Sequence, residues 1–473
     1  MSEKQKDSKK QSENQPEGIT EITVSGFKSI SEEKTIAIRP LTVLAGANSS
    51  GKSSIMQPLL LMKQTLESST DHGALNISDD NVQFNKTEQL LSQIQGKSNI
   101  NNDEFSVKIA TSWQNENNQN SASVSLTYKK NKHRNFDITN MRSTLNGKPL
   151  TLKPNMTHDE IMSILPEEIK TNKVFPLNVT FGEKTYKQEV YRDKCFLALA
   201  HVYINLDKLN NNQNKESSFI LSPSILFKTY ITDLIHISGL MNRRKRTFPV
   251  SAVGESFPGL FEDYFASVIR FWEEEKDQAN LDQLKEWLIK LSFTRHIETK
   301  YLNDTEIELM VDRLPPGSDS KERDLVSVAD VGVGVSQTLP ILVALLVARP
   351  GQLVYIEQPE LHLHPKAQHK LSEILSEAAN RDVRVVIETH SDLLLLGIQT
   401  QVAEKEIDPE LVKVHWFTRK DKGATGIISS KIEKDGAFEK QWPDDFDFGS
   451  IYLDAESRFL DAAESHHIRK NVS

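Results

Sequence analysis

The sequence predicts an α/β protein: a P-loop nucleotide-binding head split by a large insertion with an antiparallel β part and a helical part. Three observations carry this. Gly46-Ala47-Asn48-Ser49-Ser50-Gly51-Lys52-Ser53 fits G-x-x-x-x-G-K-[ST] and stands between a strand-like and a helix-like run. Two later apolar runs, GQLVYIE and DVRVVIE, alternate with helical patterns, the mark of a parallel sheet. Lys52 precedes Glu357, the acid that ends the first of those runs, by 305 positions, far more than a compact P-loop protein needs.

Each segment follows in order. Residues 1–18 read as a polar, disordered tail with no apolar stretch of a secretory signal. Residues 19–100 open the head: ITEITVSGFKSI alternates apolar and polar positions, and TIAI and LTVLAG flank Pro40. SSIMQPLLLMKQTLES then reads as a buried helix that Pro58 kinks or ends at its first turn. Over 101–195, EFSVKIATSW, SASVSLTY and FPLNVTF read as antiparallel strands between polar loops. Residues 196–300 read as helical. Leu281, Leu284, Leu288 and Leu291 repeat at heptad spacing, but too briefly for a coiled-coil arm, so short packed helices are expected. Residues 301–400 return to the head, and 401–473 add strands, a final hairpin and an acidic, aromatic loop.

Composition narrows the classes. Charged residues make up 26% and hydrophobic ones 37%, and no run approaches the ~20 apolar residues of a membrane helix. Cys195 is the one cysteine, which excludes an intramolecular disulfide and a multi-thiolate zinc site and fits a reducing, cytoplasmic setting. A net charge of −9 means that nucleic acid, if bound, meets a local basic patch. Two exist, Lys129 to Arg134, best read as a solvated loop, and Arg243 to Arg246.

The P-loop chemistry explains each residue. Gly46 and Gly51 let the N–H groups of Asn48, Ser49, Ser50 and their neighbours turn inward around phosphates at a helix N-terminus. Lys52 reaches the β- and γ-phosphates of ATP, Ser53 ligates Mg²⁺, and Ser54 continues the turn. In LVYIEQPELHLHP, four apolar residues end in Glu357, an acid aimed at the Mg²⁺ shell. His362 and His364 form an H-x-H with His369 beyond, but no cysteine is near and a metal site there is the lesser reading. In VVIETHSD, His390 follows an apolar strand and is read as a γ-phosphate sensor. In DVGVGVSQTLP, Gly332, Gly334, Ser336 and Gln337 open an apolar helix and offer N–H groups and a hydroxyl to an anion. Because the chain's own P-loop fills the cis site, that anion belongs to a second molecule's ATP.

Taken in order, GANSSGKSS, DVGVGVSQ, IEQPELHLHP and ETHSD resemble the Walker A, signature, Walker B with D-loop, and H-loop of an ABC-type ATPase, in its OLD-like and SMC-related branch. The likeness covers roughly 19–100 and 236–395. It implies ATP sandwiched between two heads, hence a homo-oligomer of at least two copies, and allows a hexamer. Within the branch, length, the split head and HISGLMNRRKR are similar to the ATPase subunits of bacterial anti-phage systems, the PARIS type first and the Septu type second. That likeness implies a sensor and scaffold that holds a separate Toprim-family nuclease until a phage-derived trigger releases it. Arg243 to Arg246 would then serve oligomer or partner contact, or equally a structural role near the nucleotide.

One residue departs from the pattern. ABC enzymes place the catalytic glutamate directly after the Walker B acid, where this chain has Gln358. An amide accepts no proton, and losing a general base costs ~10²–10⁴-fold. Either Glu360 takes over, or hydrolysis is slow by design, or the chain was altered to trap ATP. After His390 only 83 residues remain, too few for a nuclease in the same chain, so a nuclease is expected as a partner. The alternatives are a DNA-repair ATPase resembling RecF or SMC heads, a transporter ATPase, and an assembly module that binds ATP without useful turnover.

Overall fold

The central strands alternate sides residue by residue. Leu41, Val43 and Ala45 face one apolar core with Val354, Ile356, Val385 and Ile387, while Leu44, Leu353, Tyr355 and Val386 face a second. A sheet buried on both faces is what parallel pairing with crossover helices produces. The structure, a computed structural model, describes residues 18–94, 103–115, 118–165, 184–205, 216–239, 245–315, 322–420 and 422–440. The expected N-terminal tail, the FPLNVTF strand, Arg243, Arg244 and the acidic, aromatic C-terminal loop lie outside these residues.

In chain order the strands are β1 (Glu21–Ser25), β2 (Lys34–Ala37), β3 (Leu41–Gly46), β4 (Glu104–Asn115), β5 (Asn118–Lys130), β6 (Phe136–Leu145) and β7 (Lys148–Leu152). They continue as β8 (Lys184–Asp193), β9 (Phe196–Asn205), β10 (Glu216–Leu221), β11 (Ile235–Ile237) and β12 (Thr247–Pro249). The last are β13 (Ile297–Asn303), β14 (Glu306–Asp312), β15 (Leu325–Ser327), β16 (Leu353–Glu357), β17 (Arg384–Thr389), β18 (Val412–Arg419) and β19 (Thr425–Ser430). The helices are α1 (Lys52–Glu67), α2 (His158–Ile164), α3 (Ile225–Thr232), α4 (Phe265–Glu274), α5 (Gln278–Lys290), α6 (Val333–Val347), α7 (Pro365–Ala379) and α8 (Asp392–Ala403).

The central sheet runs β11-β16-β17-β3-β18-β19, all parallel except the last pair. The P-loop strand β3 therefore lies between two strands that arrive more than 300 residues later, with Leu44 opposite Glu388 and Ala45 opposite Thr389. Glu357 in turn stands opposite Glu388. That register decides which side chains meet at the C-terminal edge, where ligands of open α/β sheets bind. The strands that end at this edge come from both halves of the split head.

Two expectations about the insertion need correction. The antiparallel part does not begin near residue 101: β1 and β2 belong to the same sheet, ordered β2-β1-β4-β5-β6-β7, with Glu21 opposite Ala110. The stretch from Phe196 is not helical at its start. β9 pairs with β8 on one side and β10 on the other as a three-stranded sheet, and helices begin only at α3. FLALA is an apolar run buried at every position, and such a run carries no period that separates strand from helix. Further on, α4 and α5 are the short packed helices expected, with Leu284, Leu288 and Leu291 in the core and Leu281 partly buried against it. Pro58 sits inside α1 without ending it. No helix among the described residues is long and apolar enough to cross a membrane.

Candidate nucleotide site

The P-loop leaves β3 at Gly46 and re-enters regular structure at Lys52, the first residue of α1, with Gly51 as N-cap in a left-handed conformation (φ 103°). A Cβ on Gly51 would lie 2.1 Å from Oγ1 of Thr425 and 2.8 Å from Oγ of Ser29, so both conformation and space demand glycine. A Cβ on Gly46 would sit 2.4 Å from the Phe417 carbonyl. Ala47, Asn48 and Ser49 form the exposed arch of the loop, whereas Ser50, Lys52 and Ser54 are buried. Ser50 Oγ has no hydrogen-bond partner among the described residues.

Lys52 folds its ammonium onto the loop's own carbonyls, donating to Gly46 O at 2.8 Å and Ala47 O at 3.0 Å. Burial pushes its pKa down, opposed by the carboxylates of Glu388 and Glu360. A cation held inside the ring of the loop, above N–H groups at a helix start, is an arrangement suited to phosphate oxygens. Ser53 donates its hydroxyl to Glu388 Oε2 at 2.8 Å.

Around Glu357 the structure assembles a polar cluster from three parallel strands. Tyr355 OH donates to Glu388 Oε1 and lies 3.3 Å from Glu357 Oε1. His236 on β11 stacks on the Tyr355 ring at 5.3 Å, with its Nδ1 3.2 Å from Asn81 Oδ1. Its Nε2 lies 3.4 Å from Glu357 Oε1, within ion-pairing reach though without hydrogen-bond geometry. The Gly239 N–H donates to Glu357 Oε2 at 3.4 Å. Burial opposes ionisation of Glu357, yet His236, Gly239 and Tyr355 together hold its carboxyl below the ordinary value. Glu388 differs: burial, then the neighbouring Glu357, push it up to about 7.

Gln358 follows in a left-handed conformation (φ 46°), and its N–H donates to the Glu388 carbonyl at 2.8 Å. Glu360 is buried, and its Oε1 accepts from the His390 N–H at 2.8 Å. Its other oxygen, Oε2, is buried without a hydrogen-bond partner among the described residues. Burial pushes the Glu360 carboxyl up, with the Lys52 charge acting against it. His390 is half-buried, and burial with nearby Lys52 lowers its pKa. Glu360 and His390 thus stand within electrostatic reach of Lys52, while Glu357 and Gln358 join the group through Glu388, which accepts from Ser53.

The glycine turn is built elsewhere. Gly332 caps α6, Ser336 turns its hydroxyl back to the Val333 carbonyl at 3.0 Å, and Gln337 is partly exposed. A Cβ on Gly334 would lie 3.0 Å from the His362 carbonyl, so the turn packs on the segment that follows Glu357. No hydrogen bond among the described residues links 332–337 to the P-loop of the same chain. Arg246 pairs with Asp330 just before the turn, its Nη1 2.8 Å from Oδ2, and Lys245 pairs with Asp263 at 2.8 Å. Of the other basic cluster, Lys129 pairs with Asp103 and Lys130 with Glu88. His364 caps α7, accepting from the Lys366 N–H.

The residues fit ATP and Mg²⁺. The loop offers a glycine-walled cradle with a buried lysine. The Ser53 hydroxyl and the Glu357 carboxylate are hard oxygen donors of the kind Mg²⁺ takes. Glu388 and Thr425 were not singled out from the sequence. Glu388 lies within a motif read for its histidine, and what marks it is register beside Leu44, visible only once the strands are paired.

The family model for the AAA ATPase domain matches residues 18–395. No curated protein matches the chain. Among solved structures, a SmcHead bound to the C-winged helix domain of ScpA aligns at 12% identity and a TM-score of 0.44, over 88% of this chain and 98% of that one. An Smc head domain with an extended coiled coil, bound to the C-terminal domain of ScpA derived from Pyrococcus furiosus, aligns at 13% identity and 0.45, over 89% and 98%. The SMC head domain from Thermotoga maritima gives 11% and 0.36, over 87% and 98%.

Proposed function

This chain belongs to the AAA ATPase domain family, and we propose that it is a slow ATPase in which bound ATP acts as a switch for assembly. The observation that carries the reading is the pairing of an intact P-loop with Gln358 where a general base is expected. Lys52 would exchange its bonds to the Gly46 and Ala47 carbonyls for phosphate oxygens, and N–H groups of the loop would share that charge. Ser53 and Glu357 would hold Mg²⁺, which spreads the charge of the β- and γ-phosphate oxygens. Glu360, whose Oε1 accepts from the His390 N–H and whose buried Oε2 has no hydrogen-bond partner among the described residues, would take the proton from water. Its raised pKa moves it toward the range in which a base works near neutral pH. His390 would report on the γ-phosphate.

The Gly332–Gln337 turn, exposed at Gly332 and without a hydrogen bond to its own P-loop among the described residues, would suit an approach to the nucleotide of a second copy. The reading extends to a homo-oligomeric sensor and scaffold of anti-phage defence, of the PARIS or Septu kind, holding a separate nuclease effector. Co-expression of the tagged chain with its genomic neighbours, sized by mass photometry with and without ATP, tests this. A stable assembly containing a nuclease is expected. A bare dimer seen only with ATP would sink the scaffold part and leave the ATPase. Lys52→Ala should bind no nucleotide in either case.

A further inference from the structure

The acid that meets the P-loop hydroxyl is not the one at the end of LVYIE. Ser53 gives its hydroxyl hydrogen to Glu388 Oε2 at 2.8 Å, and no hydrogen bond among the described residues joins Ser53 to Glu357. A hydroxyl has one hydrogen and two lone pairs. With the hydrogen committed to Glu388, the lone pairs of Ser53 remain for a cation. Glu388 is itself fixed. It is 3% exposed, its other oxygen accepts from Tyr355 OH, and pairing with Leu44 on one side and Glu357 on the other sets its strand. Glu357 has other partners, the Gly239 N–H and His236, each at 3.4 Å.

Resting on the ATP and Mg²⁺ reading above, we propose that Glu388 is a positioning residue for the metal: it orients the Ser53 hydroxyl, with Tyr355 as its anchor. Two acids at the ends of neighbouring parallel strands then divide the work. Glu357 would hold the ion, while Glu388 aims the serine that would share it. The arrangement follows from geometry on β3, β16 and β17 and uses no group outside this chain.

An amide at 388 keeps the shape but replaces one acceptor oxygen with NH₂, so it cannot accept from both Ser53 and Tyr355. Mn²⁺ serves as the probe, titrated by electron paramagnetic resonance into the full chain saturated with a non-hydrolysable ATP analogue. A fluorescent ATP analogue in excess chelator reports nucleotide binding without metal. Partners that orient a metal ligand are worth about 10–100-fold in metal affinity, and Glu388→Gln should lose that much while still binding nucleotide without metal. Glu388→Asp should recover part of the loss. Tyr355→Phe, which leaves the carboxylate but frees one oxygen, should weaken Mn²⁺ less. Mn²⁺ affinity unchanged in folded Glu388→Gln would overturn the assignment. If that variant does not fold, unchanged affinity in Tyr355→Phe overturns it instead. A wild-type chain that binds no nucleotide at all would strike the ATP reading underneath.

Discussion

Thr425 donates its hydroxyl to the Ser50 carbonyl at 2.9 Å, which ties the C-terminal hairpin to the P-loop across 375 positions of sequence. The same oxygen lies 2.8 Å from Ser29 Oγ, and the Thr425 N–H bonds the Ser29 carbonyl at 2.8 Å. The loop is therefore shaped by its neighbours as well as by its glycines. Thr425→Val keeps the volume and removes the hydroxyl. A buried carbonyl left unpaired costs about 1–3 kcal/mol, and chemical denaturation of the variant should show a loss of that order together with weaker nucleotide binding. Stability and affinity both at the wild-type level would mean that the hairpin does not hold the loop. Gly51→Ala, forced against Thr425 at a positive φ, should be worse on both counts.

Arg246 and Asp330 give a second test, because the ion pair is exposed while the turn it adjoins is proposed to act in trans. Surface pairs are worth about 0–1 kcal/mol, so Arg246→Ala should leave the unfolding midpoint nearly unchanged. ATP-dependent association, followed by mass photometry, should nevertheless weaken, and Asp330→Asn should weaken it similarly. Association at the wild-type level in both variants would separate the Arg246 contact from assembly.

Gln358 bears directly on turnover. A carboxylate there could accept the proton an amide cannot, and Gln358→Glu should raise single-turnover hydrolysis by ~10²-fold or more. Glu360→Gln in the otherwise unchanged chain should abolish the residual rate while nucleotide still binds. If Gln358→Glu leaves the rate unchanged while Glu360→Gln removes it, Glu360 is the base and the amide is no brake.

How much of this could be read in the sequence depends on what kind of signal each feature leaves. The P-loop, the strand ending at Glu357 and the strand before His390 are contiguous runs whose residue types state their chemistry, and the structure gathers all three at one sheet edge. The pairing of β3 with β17 leaves no local mark. Without it Glu388 is one acid in VVIETHSD, and nothing tells which face it takes. The tie between Thr425 and Ser50 is invisible for the same reason. FLALA carries no period because a fully buried strand and a buried helix share one composition, and β1, with β2 beside it, joins the antiparallel sheet through β4 partners 81 to 89 positions away.

His415 supplies an acid limit on stability. It lies on β18, fully buried, with Nδ1 2.8 Å from Ser429 Oγ and Nε2 2.8 Å from the Ala37 carbonyl, a neutral ring whose Nε2–H is the donor to that carbonyl. Burial, with nearby Lys413 acting the same way, lowers its pKa from 6.5 to about 4. The folded value lies below the unfolded one, so the unfolded chain takes up the proton first as pH falls. The stability that His415 contributes is thus complete above about pH 6.5 and drains away between there and about pH 4. At 1.36 kcal/mol per pKa unit the full loss is about 3 kcal/mol. His415→Gln retains a donor and an acceptor but does not titrate. Denaturant unfolding of both proteins across pH 4–7.5 should give curves that run parallel and apart above pH 6.5, where the wild type keeps its full advantage, and converge toward pH 4. Parallel curves at every pH would show that His415 is not the titrating group.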